Sequence, residues 1–340
     1  MRCRKRSLAA TTVASLSALT LLSACAVTQS ASSDDASSSA QTEIAFLTTS
    51  AANTWLAASG KAMADDAAAK NVKITTFDAK FQPGMAAKQI QDVIASKKYK
   101  GIILATTEGA AVVPAVKQAL DADLKVVILN QIVGTDLTTA DPQVPGVSAS
   151  VLAPPLATGT RLGTLAVKAC EGVSSCRVVY MFGQKGLPYD DAVRKGYDSV
   201  TLSHTNMKII AEGQGGYLGT DQPRKATQDI IQANPAFEVL VGAGDQQIQG
   251  ALLALTQANL TKVKVIGVGG SEHAVKGITD GTWWGDVAGA PITEGHTAFA
   301  AMLDALDGKD VGGVDVTTEL VDNGLITSAN VDKFTAQWPG

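Results

Sequence analysis

Short apolar runs alternate with helix-length segments along most of the 340-residue chain, and no other feature restricts its fold so tightly. The first run, Ile44-Ala45-Phe46-Leu47, is short, bounded and continuous, as a strand buried on both faces would be. A small polar turn at 48–53 follows, then an Ala-rich stretch with Leu56, Met63 and Ala67 at helical spacing. The unit recurs. Strands are expected at 72–78, 101–105, 125–130, 177–182, 208–212, 238–241 and 263–268. Helices are expected at 83–98, 110–122, 155–169, 189–200, 222–233, 246–258, 272–279 and 293–306. Such alternation with short connections means βαβ units and parallel sheets covered by helices on both faces. A polar loop at 131–146 holds Pro142 and Pro145 and resists regular structure, a short strand at 147–151 crosses to the second series, and a late extended segment covers 314–320. In parallel α/β sheets ligands bind beyond the carboxyl ends of the strands, which makes the first loop, with Thr49, Asn53 and Trp55, a site candidate by position.

A single core rarely grows beyond roughly 250–300 residues, so this length implies two lobes. A net charge of −4 supplies no basic face for phosphate backbones, and nucleic acid is not an expected partner. The first residues read as a targeting segment. Arg2, Arg4, Lys5 and Arg6 precede an apolar stretch, 8–22, too short for a membrane span of about 20 residues. It ends in Leu22-Ser23-Ala24-Cys25, which resembles a bacterial lipobox; that resemblance makes 1–24 a lipoprotein signal peptide and Cys25 the lipid-bearing residue. An ordinary secretory signal with an incidental Cys25 is the alternative. The Ser-, Ala- and Asp-rich stretch at 25–41 reads as a flexible tether. With Cys3 and Cys25 accounted for, Cys170 and Cys176 remain, and three states are open to them: a disulfide closing a small loop, two free thiols, or a metal site. The disulfide is the expected state for an exported chain.

The order of elements, with the exported start, resembles the sugar-type, ribose-binding-protein-like (type I) periplasmic binding proteins that serve ABC importers. The likeness covers roughly 43–320. It rests on Ile44-Ala45-Phe46 with Asn53-x-Trp55, on Lys100-Gly101-Ile102-Ile103-Leu104, and on Val126-Val127-Ile128-Leu129-Asn130. Arg194-Lys195-Gly196-Tyr197, Asn234-Pro235-Ala236-Phe237-Glu238-Val239, Gly244-Asp245 ahead of Gly250-Ala251-Leu252, and Val265-Ile266-Gly267-Val268 complete it. The resemblance implies an α/β fold of two Rossmann-like three-layer lobes joined by a three-segment hinge. One lobe is expected to comprise 42–148 plus 290–318 and the other 149–289 plus 319–340, with crossings near 148–151, 288–291 and 317–321. It further implies a monomer that closes on a small molecule between its lobes.

Carried over to this chain, the family pattern makes Thr49 and Asn53 hydrogen-bonding ligands and Trp55 a ring stacked on a sugar face, with Tyr217 as the second aromatic. Trp55 also fits a helix-start core residue. Asn130-Gln131 stands where the family has an Asp-Arg pair, and Asp191 where it has an Arg. Gly244 precedes Asp245 and Gln246 where an Asn is usual, Gly269 replaces an Asp, and Gly289 replaces a Gln. Losing charged bidentate groups to amides and glycines weakens the hold on a monosaccharide and opens space. A ligand that is larger, less hydroxylated or partly cationic is therefore implied, with Glu108, Asp190 and Asp191 facing the cleft; the Asp pair also suits a solvated helix start. Trp283-Trp284 would point to opposite faces of a strand, both packed in the core or one lining the pocket.

Catalytic readings find little support. Gly242-Ala243-Gly244 opens a helix without the acidic residue of a dinucleotide loop, and His204, His273 and His296 lack metal-ligand spacing. Gly269-Gly270-Ser271 starts like a nucleophile elbow without its closing Gly, so a hydrolase using Ser271 and His296 is a distant rival. No catalytic residue, cofactor or metal is expected. The reading is a lipid-anchored, extracytoplasmic solute receptor that hands a sugar or sugar-like molecule to an ABC permease. A sensory receptor feeding a membrane kinase or chemoreceptor is the rival of the same fold.

Overall fold

A computed structural model describes residues 41–340. The expected signal peptide, Cys25 and all but the last residue of the tether lie outside the described residues. The first series runs β1 (Thr42–Thr48), α1 (Thr54–Ala68), β2 (Val72–Asp78), α2 (Met85–Ser96), β3 (Gly101–Ala105), α3 (Val113–Asp121), β4 (Lys125–Leu129) and β5 (Ala149–Leu152). The second runs α4 (Pro155–Ala169), β6 (Cys176–Phe182), α5 (Pro188–Thr201), β7 (Met207–Gln214), α6 (Asp221–Ala233), β8 (Val239–Gly242), α7 (Asp245–Gln257), β9 (Lys264–Gly269), α8 (Glu272–Asp280) and β10 (Gly285–Ala288). A tail adds α9 (Pro291–Leu306), β11 (Gly312–Asp315) and β12 (Leu325–Thr327).

These strands form two six-stranded sheets of matching order, β11-β5-β4-β3-β1-β2 and β12-β10-β9-β8-β6-β7. Every pairing is parallel except that of β12 with β10. The central strands are covered by helices on both sides, which is why β3 (GIILA) and β8 (VLVG) are apolar throughout and wholly buried. In both sheets the strand order reverses beside the central strand, at β1/β3 and at β6/β8, and the two crevices so formed face the same space.

The tail departs from the expected layout. β5 pairs with β4 in the first sheet, so the first crossing falls after Leu152, at Ala153-Pro154, and not at 148–151. The second crossing, at 289–290, delivers α9 back onto the first sheet and α1, where Phe299 and Met302 are buried with Ile44, Phe46 and Val127. The segment expected to be extended to 320 turns after Asp315, and the third crossing ends in the unforeseen β12.

Close helix packing in the second lobe explains Arg194-Lys195-Gly196-Tyr197. A Cβ on Gly163 of α4 would lie 2.8 Å from the Tyr197 carbonyl, and one on Gly196 2.9 Å from the Thr160 amide. The Tyr197 ring packs edge-on against Tyr180 in the core beneath. Cys170 caps the end of α4 and Cys176 starts β6; they form a disulfide with Cα atoms 5.7 Å apart. Trp283 is buried, its indole N–H donating to the Gly285 carbonyl, and Trp284 packs on the other side of the sheet under Lys264. Both tryptophans belong to the core.

Candidate functional site

The loop after β1 positions three site candidates through its own hydrogen bonds. The Thr49 hydroxyl donates to the Ala105 carbonyl at 3.0 Å, pinning the ends of β1 and β3 together. The Asn53 side-chain oxygen accepts from the Leu56 amide at 3.0 Å and so caps α1. Its amide nitrogen reaches across to the Tyr217 carbonyl of the second lobe at 3.1 Å. Thr54 donates to the Gly340 carbonyl at 2.9 Å and accepts from Gln246 at 3.4 Å. The lobes therefore meet across the cleft, in a closed arrangement.

Between them lies a cavity of roughly 890 Å³, counted out to its mouth. Thr49, Asn53, Trp55, Asn130, Gln131, Asp190, Tyr217 and Gln246 line it, drawn from both lobes as the sequence implied. Three candidates do not. Glu108 lies in an adjoining pocket, where its carboxylate accepts from the Ala86 amide at the start of α2. Asp191, one residue further round α5 than Asp190, is exposed and accepts from the Gly186 amide. Asp245 is fully buried behind the cavity, accepting from the Ser271 amide at 2.8 Å, while Asp286 accepts from the Gly270 amide at 2.8 Å. Their remaining oxygens flank Gly267 together. Burial raises both carboxyls, and the Asp245 charge raises Asp286 further, so the surroundings favour a proton on the pair, which braces the strand ends from inside.

Among the lining residues that escaped the sequence reading, Glu294, Tyr189 and Trp338 stand out. Glu294, 1% exposed, sits in the first turn of α9. Its Oε2 accepts from the Trp55 indole at 2.7 Å and from the Asn130 amide at 3.3 Å. Asn130, held in the left-handed region at φ 67°, accepts in turn from Gln131. Burial pushes the Glu294 carboxyl up to about 7, against the pull of those two donors. Asp190, wholly buried, accepts from the Gly183 amide at 2.7 Å and the Tyr217 hydroxyl at 3.0 Å; burial still raises it to about 6. Trp338 is brought in by the C-terminal segment, its indole donating to the Gly269 carbonyl and its ring edge-on to Trp55 at 5.4 Å.

The glycines that were expected to open space are instead filled. A Cβ on Gly289 would overlap the Trp55 ring, and one on Gly269 would sit 2.6 Å from Trp338 and 2.9 Å from Asp245. At Gly244 a Cβ would be 2.7 Å from Gln247 and 3.4 Å from the Tyr217 ring.

No acyl-transfer pair forms. Ser271 accepts from the Ala274 amide as the cap of α8, and His296 is paired with Asp66 at 2.6 Å on the outer side of α9. Among the described residues no three His, Cys, Asp or Glu side chains cluster as a metal site. Two parallel-sheet lobes shut over an aromatic cavity at their switch points define a receptor for a small solute. The chain belongs to the periplasmic binding protein family: the family model described as a periplasmic binding protein domain matches residues 44–310. Its relatives place it with the type I, sugar-binding members. It is 25% identical over 271 residues to the D-allose-binding periplasmic protein of Escherichia coli K12, covering 78% of this chain and 86% of that one. It is 29% identical over 139 residues to the xylitol-binding protein of Mycolicibacterium smegmatis, covering 41% of this chain and 38% of that one. A solved ABC transporter solute-binding protein from Mycobacterium smegmatis with bound glycerol has the same fold, with a TM-score of 0.74 at 23% identity, covering 88% of this chain and 99% of that one. The family is extracytoplasmic, and no helix among the described residues is long and apolar enough to cross a membrane.

Proposed function

We propose that the protein is a lipid-anchored solute-binding component of an ABC importer, held through Cys25 outside the cytoplasmic membrane. It captures a sugar or sugar-like molecule between its lobes, closes, and presents the closed form to a permease. It performs no chemistry on its ligand. The observation that carries this reading is the cavity at the two switch points, with Trp55 at its wall and hydrogen-bonding groups from both lobes around it. An aromatic face packs against the C–H face of a sugar or polyol, while the amides of Gln131 and Gln246 stand by for hydroxyls. The relatives bind an aldose and a polyol by name, which supports the same ligand class here.

A thermal-shift panel of sugars, polyols, nucleosides and amines tests the proposal. A true ligand at a hundred times its dissociation constant adds about 2.7 kcal/mol of stability, a shift such a panel resolves. Trp55→Ala should weaken the hit by at least tenfold. A folded protein that answers to no member of the panel would end the proposal, and unchanged affinity in the Trp55 variant would move the site elsewhere.

A further inference from the structure

The cavity is unusual in its charges. Glu294 and Asp190 both line it, 1% and 0% exposed; Oε1 of Glu294 and Oδ2 of Asp190 are buried without a hydrogen-bond partner of good geometry among the described residues, although the Gln184 amide also favours the Asp190 charge. No lysine, arginine or histidine among the described residues lines the same space. A buried carboxylate is ordinarily paired with a cation or fully hydrogen-bonded, because leaving its charge uncompensated is costly. Here the walls offer aromatic rings instead: Trp55, Tyr189, Tyr217, Trp338 and Phe81. Rings with a negative face and buried carboxyls without a counter-ion are together the surroundings in which an organic cation is stable.

From this juxtaposition we infer that the natural ligand carries a positive charge, as an amine-bearing sugar or amino-polyol whose ammonium is received by Glu294 and Asp190 among the rings. The inference rests on the proposed solute-capture role and narrows it. The ammonium supplies the donors that Oε1 of Glu294 and Oδ2 of Asp190 lack, and its charge favours their ionised forms. Glu294 already holds Trp55 and Asn130 through its other oxygen, so binding the cation leaves the aromatic wall in register. The groups that bear on its charge are few. Trp55 and Asn130 donate to it, and from α5 comes the Tyr189 phenol, which burial and the carboxylates of Asp190 and Glu294 hold neutral. His296, on the same helix, is engaged outside by Asp66.

The test uses matched pairs: D-glucosamine with D-glucose, D-galactosamine with D-galactose, and N-methyl-D-glucamine with D-glucitol, titrated by calorimetry at pH 6 and pH 8. At least one amine should bind more than tenfold tighter than its neutral partner at pH 8. The preference should shrink at pH 6, where Glu294 is protonated in the free protein and must lose its proton on binding. Heats measured in phosphate and in Tris buffer should differ, reporting proton release. Glu294→Gln, and separately Asp190→Asn, should abolish the preference of each amine over its neutral partner, with thermal unfolding confirming a folded variant. A neutral member that binds as tightly as its amine, or a Glu294→Gln protein that keeps the preference, overturns the inference and leaves solute capture standing. Absence of binding across all six compounds overturns the inference, while solute capture stands or falls with the broader panel.

Discussion

Glu294 shows how a single acidic side chain can be decisive and still be invisible in a sequence. An acidic residue in the first turn of a helix is what the helix dipole favours, and Glu294 of α9 reads as one more of these. Only the fold brings Trp55, 239 residues earlier, against it and shuts out water. Its charge then has a measurable effect on folding. The folded carboxyl titrates near 7 and an unfolded glutamate near 4.5, so the folded state holds the extra proton between those values. Its favourable contribution is complete below the unfolded value and is lost as pH rises through about 7. A shift of this size corresponds to roughly 3 kcal/mol. Ligand-free protein should therefore lose about that much more stability between pH 4.5 and pH 8 than the Glu294→Gln variant, by denaturant titration; parallel curves would show that Glu294 is solvated. Asp190 and Asp191 teach the same lesson at closer range. They are adjacent in sequence, yet one is wholly buried and the other exposed, because successive residues of a helix face different ways. Thr49, Asn53 and Trp55 were legible as lining residues, but not their bonds to Ala105, Tyr217 and Glu294, which depend on partners distant in the chain.

At the scale of elements, strands buried on both faces announced themselves. A continuous apolar run such as GIILA is too short for a buried helix and suits a strand covered on both sides. What the runs did not carry was the identity of their neighbours. β5 is a four-residue strand, ASVL, that would suit the edge of either sheet, and its assignment to the first lobe is fixed only by its pairing with β4. β12 has three residues and no periodicity to detect. The α4–β6 turn, by contrast, was legible from its two cysteines, and its crosslink closes a small loop. In the chain-entropy account, breaking it by Cys170→Ser with Cys176→Ser should cost about 2 kcal/mol of unfolding free energy. Equal midpoints with and without reductant would show that the loop is held by packing alone.

The whole molecule is a clamp whose closed form is secured at the mouth. Asn53 to Tyr217, Thr54 to Gly340, Gln246 to Thr54, and the Trp55–Trp338 contact span it, while three short crossings carry the two lobes. Thr54→Val keeps the shape of the side chain and removes its hydroxyl from two of these contacts. The variant should populate the open form more, with a larger radius of gyration in solution scattering without ligand and an affinity lower by about fivefold, as the loss of roughly 1 kcal/mol of hydrogen bonding implies. Identical scattering and affinity would mean that closure is governed at the crossings instead.

The Trp55–Trp338 pair makes this clamp self-reporting. Of the four tryptophans in the chain, two meet edge to face across the cleft and two lie in the second-lobe core. Separating the lobes would part the first pair and wet both rings, while Trp283 and Trp284 keep their surroundings. Emission colour and exciton circular dichroism would then follow the opening and shutting of the unlabelled protein in real time, with the core pair as an internal standard.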